Sequence, residues 1–293
     1  MTTTSARPGE PAETVAATVV LLAAVAAPVL VVGSLTGSWG LTVAVVVVVL
    51  TGVGVVGYSD RWILWMVRAH PVVETQAPRL FRLVAEVSAA AGTPVPRVYL
   101  SPLSAPTALS TGRGPRNASI CLTEQLLELL DERQLRAVLA HELAHIRRGD
   151  TLISSVAVGL AAVVLSVVTL AWVLPMGPRD DDGANPPGLL LLALLAPVAG
   201  LLLRLTLPGA REARADRDAV AVTGDPEALA TALRLITTAV ATGGAAPWPP
   251  LQATRVLAIV DPCRAEGLSR HLVRPVASVT RRAAQLEAMG APR

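Results

Sequence analysis

The segment Ala137-Val-Leu-Ala-His141-Glu142-Leu-Ala-His145-Ile-Arg-Arg148 contains the pattern His-Glu-x-x-His. Residues i and i+4 of an α-helix lie on one face, so a helix brings His141 and His145 side by side. Two neutral imidazoles in this arrangement suit a zinc ion. Glu142 lies beside them, where its carboxylate can accept a proton from a metal-bound water. The alternative is a pair of solvated histidines on an ordinary helix.

The residues on either side of this pattern favour a helix. Asp131 and Gln134 form an N-terminal capping pattern, and Gly149 follows as a C-terminal cap. Apolar residues recur between the caps at helical spacing. They are Leu135, Val138, Leu139 and Ile146.

A catalytic zinc usually takes a third protein ligand and leaves its fourth position to water. Glu212 and Asp216 are four residues apart and therefore share a helix face. One carboxylate of such a pair suits the zinc, and the other suits the ring N–H of a ligand histidine. The alternative is a surface helix with Arg–acid pairs. We predict that Glu212 is the third ligand. The apolar segment Leu152–Leu207 between His145 and Glu212 is expected to form a membrane hairpin, so the chain leaves the cytoplasm just after His145 and returns to it just before Glu212.

Four uncharged apolar runs predict membrane-spanning helices. The chain has 293 residues, of which 52% are hydrophobic and only 16% charged, against about 25% charged in a typical soluble domain. The runs are close to the roughly 17–25 residues that cross a bilayer. They are Val15–Gly33, Leu41–Gly57, Leu152–Leu174 and Gly188–Leu203. Buried helices of a soluble protein, and a cleaved signal peptide in place of the first run, are the alternatives.

The charges predict which side of the membrane each segment occupies. All 25 basic residues are Arg; 11 lie between Tyr58 and Thr151, and 11 follow Leu207. Positive charge marks the cytoplasmic side. We therefore expect a multi-pass protein of the inner (plasma) membrane, with both hairpin turns outside and both termini and the active site in the cytoplasm.

The predicted fold is a mainly α integral membrane protein. Its four transmembrane helices carry a cytoplasmic zincin-like α+β catalytic domain with a small sheet. Residues 1–57 form an N-terminal tail and the first hairpin, and residues 152–207 form the second hairpin. The catalytic domain is split between residues 58–151, with the motif helix, and residues 208–293, with the third ligand.

A short β-hairpin is predicted before the motif helix. Two β-prone runs, Thr107–Thr111 and Ala118–Leu122, are separated by the turn-forming residues 112–117. An exposed edge of this hairpin can pair with an extended peptide, and the alternative is a purely structural hairpin. The candidate substrate-binding residues are Thr107, Ala108, Leu109, Ser110 and Thr111. His271, late in the chain, is a candidate stabiliser of the transition state.

The composition also excludes some partners and structures. A net charge of +3 without a basic run does not suit nucleic-acid binding. Two cysteines, Cys121 and Cys263, cannot form a disulfide framework, so free or buried thiols are expected.

Taken together, these motifs resemble the HtpX-like membrane zinc metallopeptidases, which are related to the CAAX prenyl proteases. Arg211-Glu-Ala-Arg-Ala-Asp216 matches the family's Arg-Glu-x-x-Ala-Asp signature, and Thr107–Gly112 matches the position of its Asn-Ala-Phe-Ala-Thr-Gly motif. The segment from Leu80 to Leu100 is similar to the family's segment before the substrate strand. This chain departs from the family's substrate motif at two positions: it has Thr107 where the family has Asn, and Leu109 where the family has Phe. The family's late His-Pro pair is split here, as His271 and Pro275.

The resemblance implies a gluzincin-like zinc metalloendopeptidase with one Zn²⁺ per chain. His141, His145 and Glu212 would be its ligands, Glu142 its base and Asp216 the carboxylate behind a ligand histidine. It also implies protein or peptide substrates, chiefly membrane proteins, and a role in quality control or stress response. A regulatory peptidase with one repressor-type partner, a non-catalytic membrane scaffold and another divalent metal in place of zinc are the alternatives.

Overall fold

The helix that carries the His-Glu-x-x-His pattern begins and ends where its capping residues predict. In a computed structural model, this helix runs from Glu132 to Arg148. Asp131 accepts the N–H of Gln134, and the Gln134 side chain accepts the N–H of Asp131, which completes a capping box. Gly149 ends the helix in the left-handed region with φ of 75°. The predicted local structure of the motif is thereby confirmed.

The structure describes residues 11–35, 37–173, 209–243, 258–259 and 279–290. The helices before the motif are α1 (Pro11–Leu35), α2 (Gly37–Met66), α3 (Pro78–Ala91) and α4 (Glu124–Leu129). The motif helix is α5, and it is followed by α6 (Asp150–Val173), α7 (Gly209–Thr223), α8 (Pro226–Gly243) and α9 (Val279–Gly290). The strands are β1 (His70–Pro71), β2 (Arg97–Ser101), β3 (Ala108–Gly112) and β4 (Ala118–Thr123).

The four strands form one small mixed sheet in the order β1-β2-β4-β3. β3 and β4 pair as the predicted antiparallel hairpin, with Leu109 opposite Cys121 and Gly112 opposite Ala118. β2 and β4 are parallel, with Val98 opposite Ile120. The hairpin turns at Gly112, where φ is 135° and an added Cβ would collide with the carbonyl of Asn117. Only glycine fits this position.

The main hydrophobic core lies between the sheet, α3, α5 and α8. Leu83 and Val84 of α3, Ile120 of β4, Leu139 of α5 and Leu233 of α8 are all buried in it. α7 also packs against α5, and α9 packs against α8. These contacts bring the first part of the predicted catalytic domain together with the part that follows the predicted second hairpin.

A second group of helices packs beside this core. α2 contacts both α1 and α6 through a cluster that includes Leu21, Val55, Val156 and Leu160. Many other apolar side chains of α1 and α2 are exposed, as expected of helices that face lipid. Within the described residues, one helix, α2, is long and apolar enough to cross a membrane, with a mean hydropathy of 2.5.

The mainly helical fold with a small sheet is confirmed. α2 extends nine residues beyond the predicted second run, which ends at Gly57, and reaches Met66. Parts of α1 and α6 form shorter apolar helices, Ala16–Val31 and Asp150–Ala161. The fourth predicted span lies outside the described residues. The four-span arrangement and the domain boundaries stay predictions.

Candidate metal centre

The centre begins with the face of α5 that its helical spacing creates. His141 and Glu142 are each 1% exposed, and His145 is partly buried. The two imidazole rings meet edge to face, with centroids 4.8 Å apart and planes 84° apart. Their Nε2 atoms lie only 3.2 Å from each other. A cation between these nitrogens relieves the repulsion of two facing lone pairs.

α7 brings Glu212 to these two nitrogens. Oε2 of Glu212 lies 3.5 Å from Nε2 of His141, and Oε1 lies 3.4 Å from Nε2 of His145. One ligand atom from each of the three residues lies within 4.8 Å of the others. The structure thus places the three predicted ligands together, although 66 residues separate His145 from Glu212 in the sequence.

The spacing of these donor atoms fits a tetrahedral metal. Two ligands about 2.0–2.1 Å from a tetrahedral zinc lie roughly 3.3 Å from each other. The three separations here, 3.2, 3.4 and 3.5 Å, fall close to that edge length. A set of two imidazoles and one carboxylate is also a common catalytic zinc set. The residues therefore fit the implied metal.

Asp216 supports His141 from the side away from Glu212. Its Oδ1 lies 2.9 Å from Nδ1 of His141. At this distance the contact between the imidazole and the carboxylate is charge-assisted. Burial raises the pKa of Asp216, but hydrogen bonds with His141 and Arg282 outweigh it and hold the pKa at about 2. Asp216 therefore stays ionised and keeps Nε2 of His141 turned towards Glu212.

Arg282 of α9 completes the centre, and the motif analysis missed it. Its side chain is 1% exposed and donates two hydrogen bonds to Asp216, of 2.9 and 2.7 Å. Its Nη1 also lies 2.9 Å from Oε2 of Glu212 and donates to the carbonyl of Ile259. The available signal was helical spacing, because Arg282 shares the core-facing side of α9 with Leu286.

The formal charges of the centre also favour a divalent cation. The buried carboxylates of Glu142 and Asp216 and the partly buried carboxylate of Glu212 face one guanidinium, Arg282, which leaves two negative charges. Burial opposes protonation of His145, but the carboxylates of Glu212 and Asp150 outweigh burial and raise its pKa to about 10. These carboxylates therefore favour positive charge at the imidazoles, which a bound divalent cation would supply.

Glu142 is left free for chemistry. Its Oε2 is buried and has no hydrogen-bond partner among the residues that the structure describes. An unpaired buried oxygen is costly unless a water or ligand satisfies it. Glu142 interacts electrostatically with both His145 and Arg282, so its carboxylate lies close to the metal centre.

The five candidate substrate residues lie at or beside the edge strand of the sheet. Ala108, Leu109, Ser110 and Thr111 belong to β3, Thr107 precedes it, and all five are buried. The edge is partly occupied by this chain, because Leu109 bridges Ala258 and the N–H of Ile259 bonds to the carbonyl of Ala108. His271 lies outside the described residues.

Comparisons with known proteins agree with these motifs. The model of peptidase family M48 matches residues 74–287. The protease HtpX homologue of Arthrobacter sp. (strain FB24) is 43% identical over 78% of this chain and 80% of its own length. The protease HtpX homologue of Syntrophobacter fumaroxidans (strain DSM 10017 / MPOB) is 43% identical over 74% of this chain and 79% of its own length.

Among solved structures, the crystal structure of S. mikatae Ste24p aligns with a TM-score of 0.48 and 14% identity. The alignment covers 92% of this chain and 65% of that one. The resemblance to HtpX-like proteases, predicted from the motifs, is confirmed by the family match and the 43% identity. The chain belongs to peptidase family M48.

Proposed function

We propose that the chain is a membrane-embedded zinc endopeptidase that hydrolyses peptide bonds at the cytoplasmic face. One observation carries this proposal. The donor atoms of His141, His145 and Glu212 lie at the edge lengths of a tetrahedral metal site, and the buried Oε2 of the neighbouring Glu142 has no hydrogen-bond partner among the described residues. One metal ion per chain fits this set.

Glu142 acts as the general base in this proposal. When bound, zinc polarises the scissile carbonyl and lowers the pKa of a bound water. Glu142 would take a proton of the attacking water at its Oε2 as the water oxygen adds to the carbonyl carbon. Glu142 then passes the same proton to the leaving amine as the C–N bond breaks.

The remaining residues hold this arrangement in place. Asp216 orients His141, and Arg282 ties Asp216 and Glu212 together in a buried pair. β3 is the edge strand, so an extended substrate can add its backbone alongside Thr107–Thr111. Ala258 and Ile259 already use part of this edge. A substrate strand therefore pairs with the remaining edge or displaces these two residues.

The membrane location rests on α2 and on the distribution of Arg. α2 is apolar over a length that can cross a bilayer. The Arg residues concentrate in the segments that carry the metal centre, which supports a cytoplasmic active site in the inner membrane. Membrane proteins are therefore the substrates that most readily reach the centre.

The deciding experiment is cleavage of an unfolded protein substrate by purified Glu142→Gln protein. We expect the rate to fall by about 10²–10⁴-fold, the usual contribution of a general base, while zinc content stays at one per chain. Glu132→Gln is the matched control, because Glu132 lies in the first turn of the same helix and is exposed. Full activity of the Glu142→Gln protein with zinc bound would contradict the mechanism. If the purified wild-type protein neither contains zinc nor cleaves the substrate, the alternative of a non-catalytic membrane scaffold is favoured.

Two hypotheses for the biological role can be tested against each other. A quality-control protease cleaves many damaged proteins, and a regulatory protease cleaves one repressor-type partner. Comparing the proteomes of cells with wild-type and Glu142→Gln protein distinguishes them. Accumulation of many membrane proteins supports quality control, which we propose, and accumulation of a single protein supports regulation.

A further inference from the structure

The second ring nitrogen of His145 faces a carboxylate that the mechanism above does not use. Nδ1 of His145 lies 3.2 Å from Oδ2 of Asp150. Nε2 of the same ring faces His141 at 3.2 Å and Glu212 at 3.4 Å. The two nitrogens lie on different sides of the ring, so one orientation satisfies both contacts. The side chains of His145 and Asp150 are only 16% and 15% exposed, which limits competition from water.

The backbone fixes Asp150 in this position. Gly149 ends α5 with φ of 75°, and its N–H bonds to the carbonyls of His145 and Ile146. Asp150 follows immediately as the first residue of α6. The tight turn therefore directs the carboxylate back to the ring five residues earlier. It also links the start of an apolar helix directly to a proposed metal ligand.

The other oxygen of Asp150 is held from a third helix. Nε of Arg211 lies 3.5 Å from Oδ1 of Asp150, and Arg211 immediately precedes Glu212 in α7. His141 has the same kind of support, because Asp216 faces its Nδ1 and Arg282 holds Asp216. Each imidazole is thus backed by an Asp that is itself held by an Arg.

We propose that Asp150 is a positioning residue that fixes the orientation and tautomer of His145 for metal binding. This inference rests on the proposed function. A carboxylate at Nδ1 accepts the ring proton there and leaves the lone pair of Nε2 for the metal. Removing such a partner typically weakens metal binding by about 10–100-fold. Asp150 does not touch substrate, so its effect passes through His145.

The test compares the zinc affinity of the full-length wild type, Asp150→Asn and Asp218→Asn in one detergent, by competition with a chelator. The amide of Asn can donate to Nδ1 and favour the wrong tautomer. Asp218 is the matched control, because it is a similarly buried acid that pairs with Arg147 and Arg148. We expect about 10–100-fold weaker zinc binding for Asp150→Asn and no change for Asp218→Asn. Substituted cobalt should show a changed visible spectrum only in Asp150→Asn.

Equal zinc affinity in Asp150→Asn and wild type would overturn the proposal. Equal weakening in both Asn variants would overturn it too, since that indicates general loss of packing. Should Asp150→Asn fail to fold, Asp150→Ala decides the question, because it removes the carboxylate without placing another donor at Nδ1. Weaker zinc binding then supports the proposal, and unchanged binding overturns it. Activity surviving in Glu142→Gln would contradict the proposed function alone, because these zinc affinities do not depend on turnover.

Discussion

Arg282 carries the buried positive charge that faces the carboxylates of the metal centre. Its guanidinium neutralises part of the charge of Asp216 and Glu212 and also bonds to the carbonyl of Ile259. Removing one member of a buried ionic group leaves the others without compensation, so the cost exceeds the net value of the pair. Arg282 therefore joins the stability of the fold to the geometry of the centre.

We expect Arg282→Met to destabilise the protein by roughly 3–5 kcal/mol, because the buried carboxylate of Asp216 and the partly buried carboxylate of Glu212 lose their counter-charge. Thermal or denaturant unfolding in a fixed detergent measures the change. The adjacent Arg281 is exposed on the same helix, so Arg281→Met should stay within about 0.5 kcal/mol of wild type. Equal stability of the two variants would show that Arg282 does not have the role assigned here.

Cys121 provides a residue-scale prediction away from the centre. It is 2% exposed in β4, in a cluster with Ile63 and Leu64 of α2, and burial raises the pKa of its thiol to about 12. The thiolate is the reactive form, so almost none of this thiol is in its reactive form at pH 8.

In a Cys263→Ser protein, Cys121 should therefore resist alkylation at pH 8 until the chain unfolds. Mass spectrometry after timed alkylation measures this, with fully denatured protein as the control. The rate should rise only when the pH approaches 12. Rapid labelling of folded protein at pH 8 would contradict the burial of this strand.

Sequence spacing was sufficient for some site residues and insufficient for others. His141, Glu142 and His145 lie within one helical turn, so helix geometry alone places them. Glu212 needed the further assumption that an apolar hairpin returns the chain to its starting point. Asp150 and Arg282 act through side chains that meet only after α6, α7 and α9 have packed, and no local pattern reports such contacts.

At the scale of single elements, local chemistry predicted α5 and the β3–β4 hairpin. The capping box at Asp131, the left-handed Gly149 and the turn at Gly112 each act on residues only a few positions away in the sequence. The parallel pairing of β2 with β4 and the addition of β1 depend on contacts between distant segments. Short strands of this kind have no periodicity strong enough to reveal their partners.

The contact between α2 and α6 depends on a small residue. A Cβ added at Gly159 of α6 would lie 3.0 Å from Cγ1 of Val55 and 3.3 Å from Cβ of Ser59. These distances are tight, so a larger side chain forces the two helices apart.

Gly159→Val should therefore lower stability by about 1–3 kcal/mol, the usual cost of overpacking. The midpoint of thermal unfolding in detergent reports the loss. Gly52→Val is the control, because a Cβ at Gly52 of α2 meets nothing within 4 Å. If both variants melt like wild type, α2 and α6 do not pack as closely as the structure shows.

At the scale of the whole molecule, the apolar helices are directly connected to the metal centre. α2 packs on α6, and α6 starts at Asp150 beside His145. Sequence hydropathy predicted the apolar segments because bilayer thickness imposes a length on them. It did not predict how far α2 extends, since residues 58–66 mix polar and apolar side chains. Ile63 and Leu64 of this stretch pack in one hydrophobic cluster with Leu109 of β3 and Cys121 of β4.

The predicted topology has a direct test. Alkaline phosphatase is active only outside the cytoplasm, and green fluorescent protein placed at the same position fluoresces only inside. The positive charge of Tyr58–Thr151 and of the residues after Leu207 predicts that both segments lie inside. Fusions ending at Ser38 and Asp182 should therefore show phosphatase activity, and those ending at Arg68 and Arg217 should fluoresce. Phosphatase activity at Arg68 or Arg217 would place Glu142 and Glu212 on the outer face and contradict a cytoplasmic protease. Fluorescence at Asp182 would contradict the second hairpin, the segment invoked to bring Glu212 back to His145.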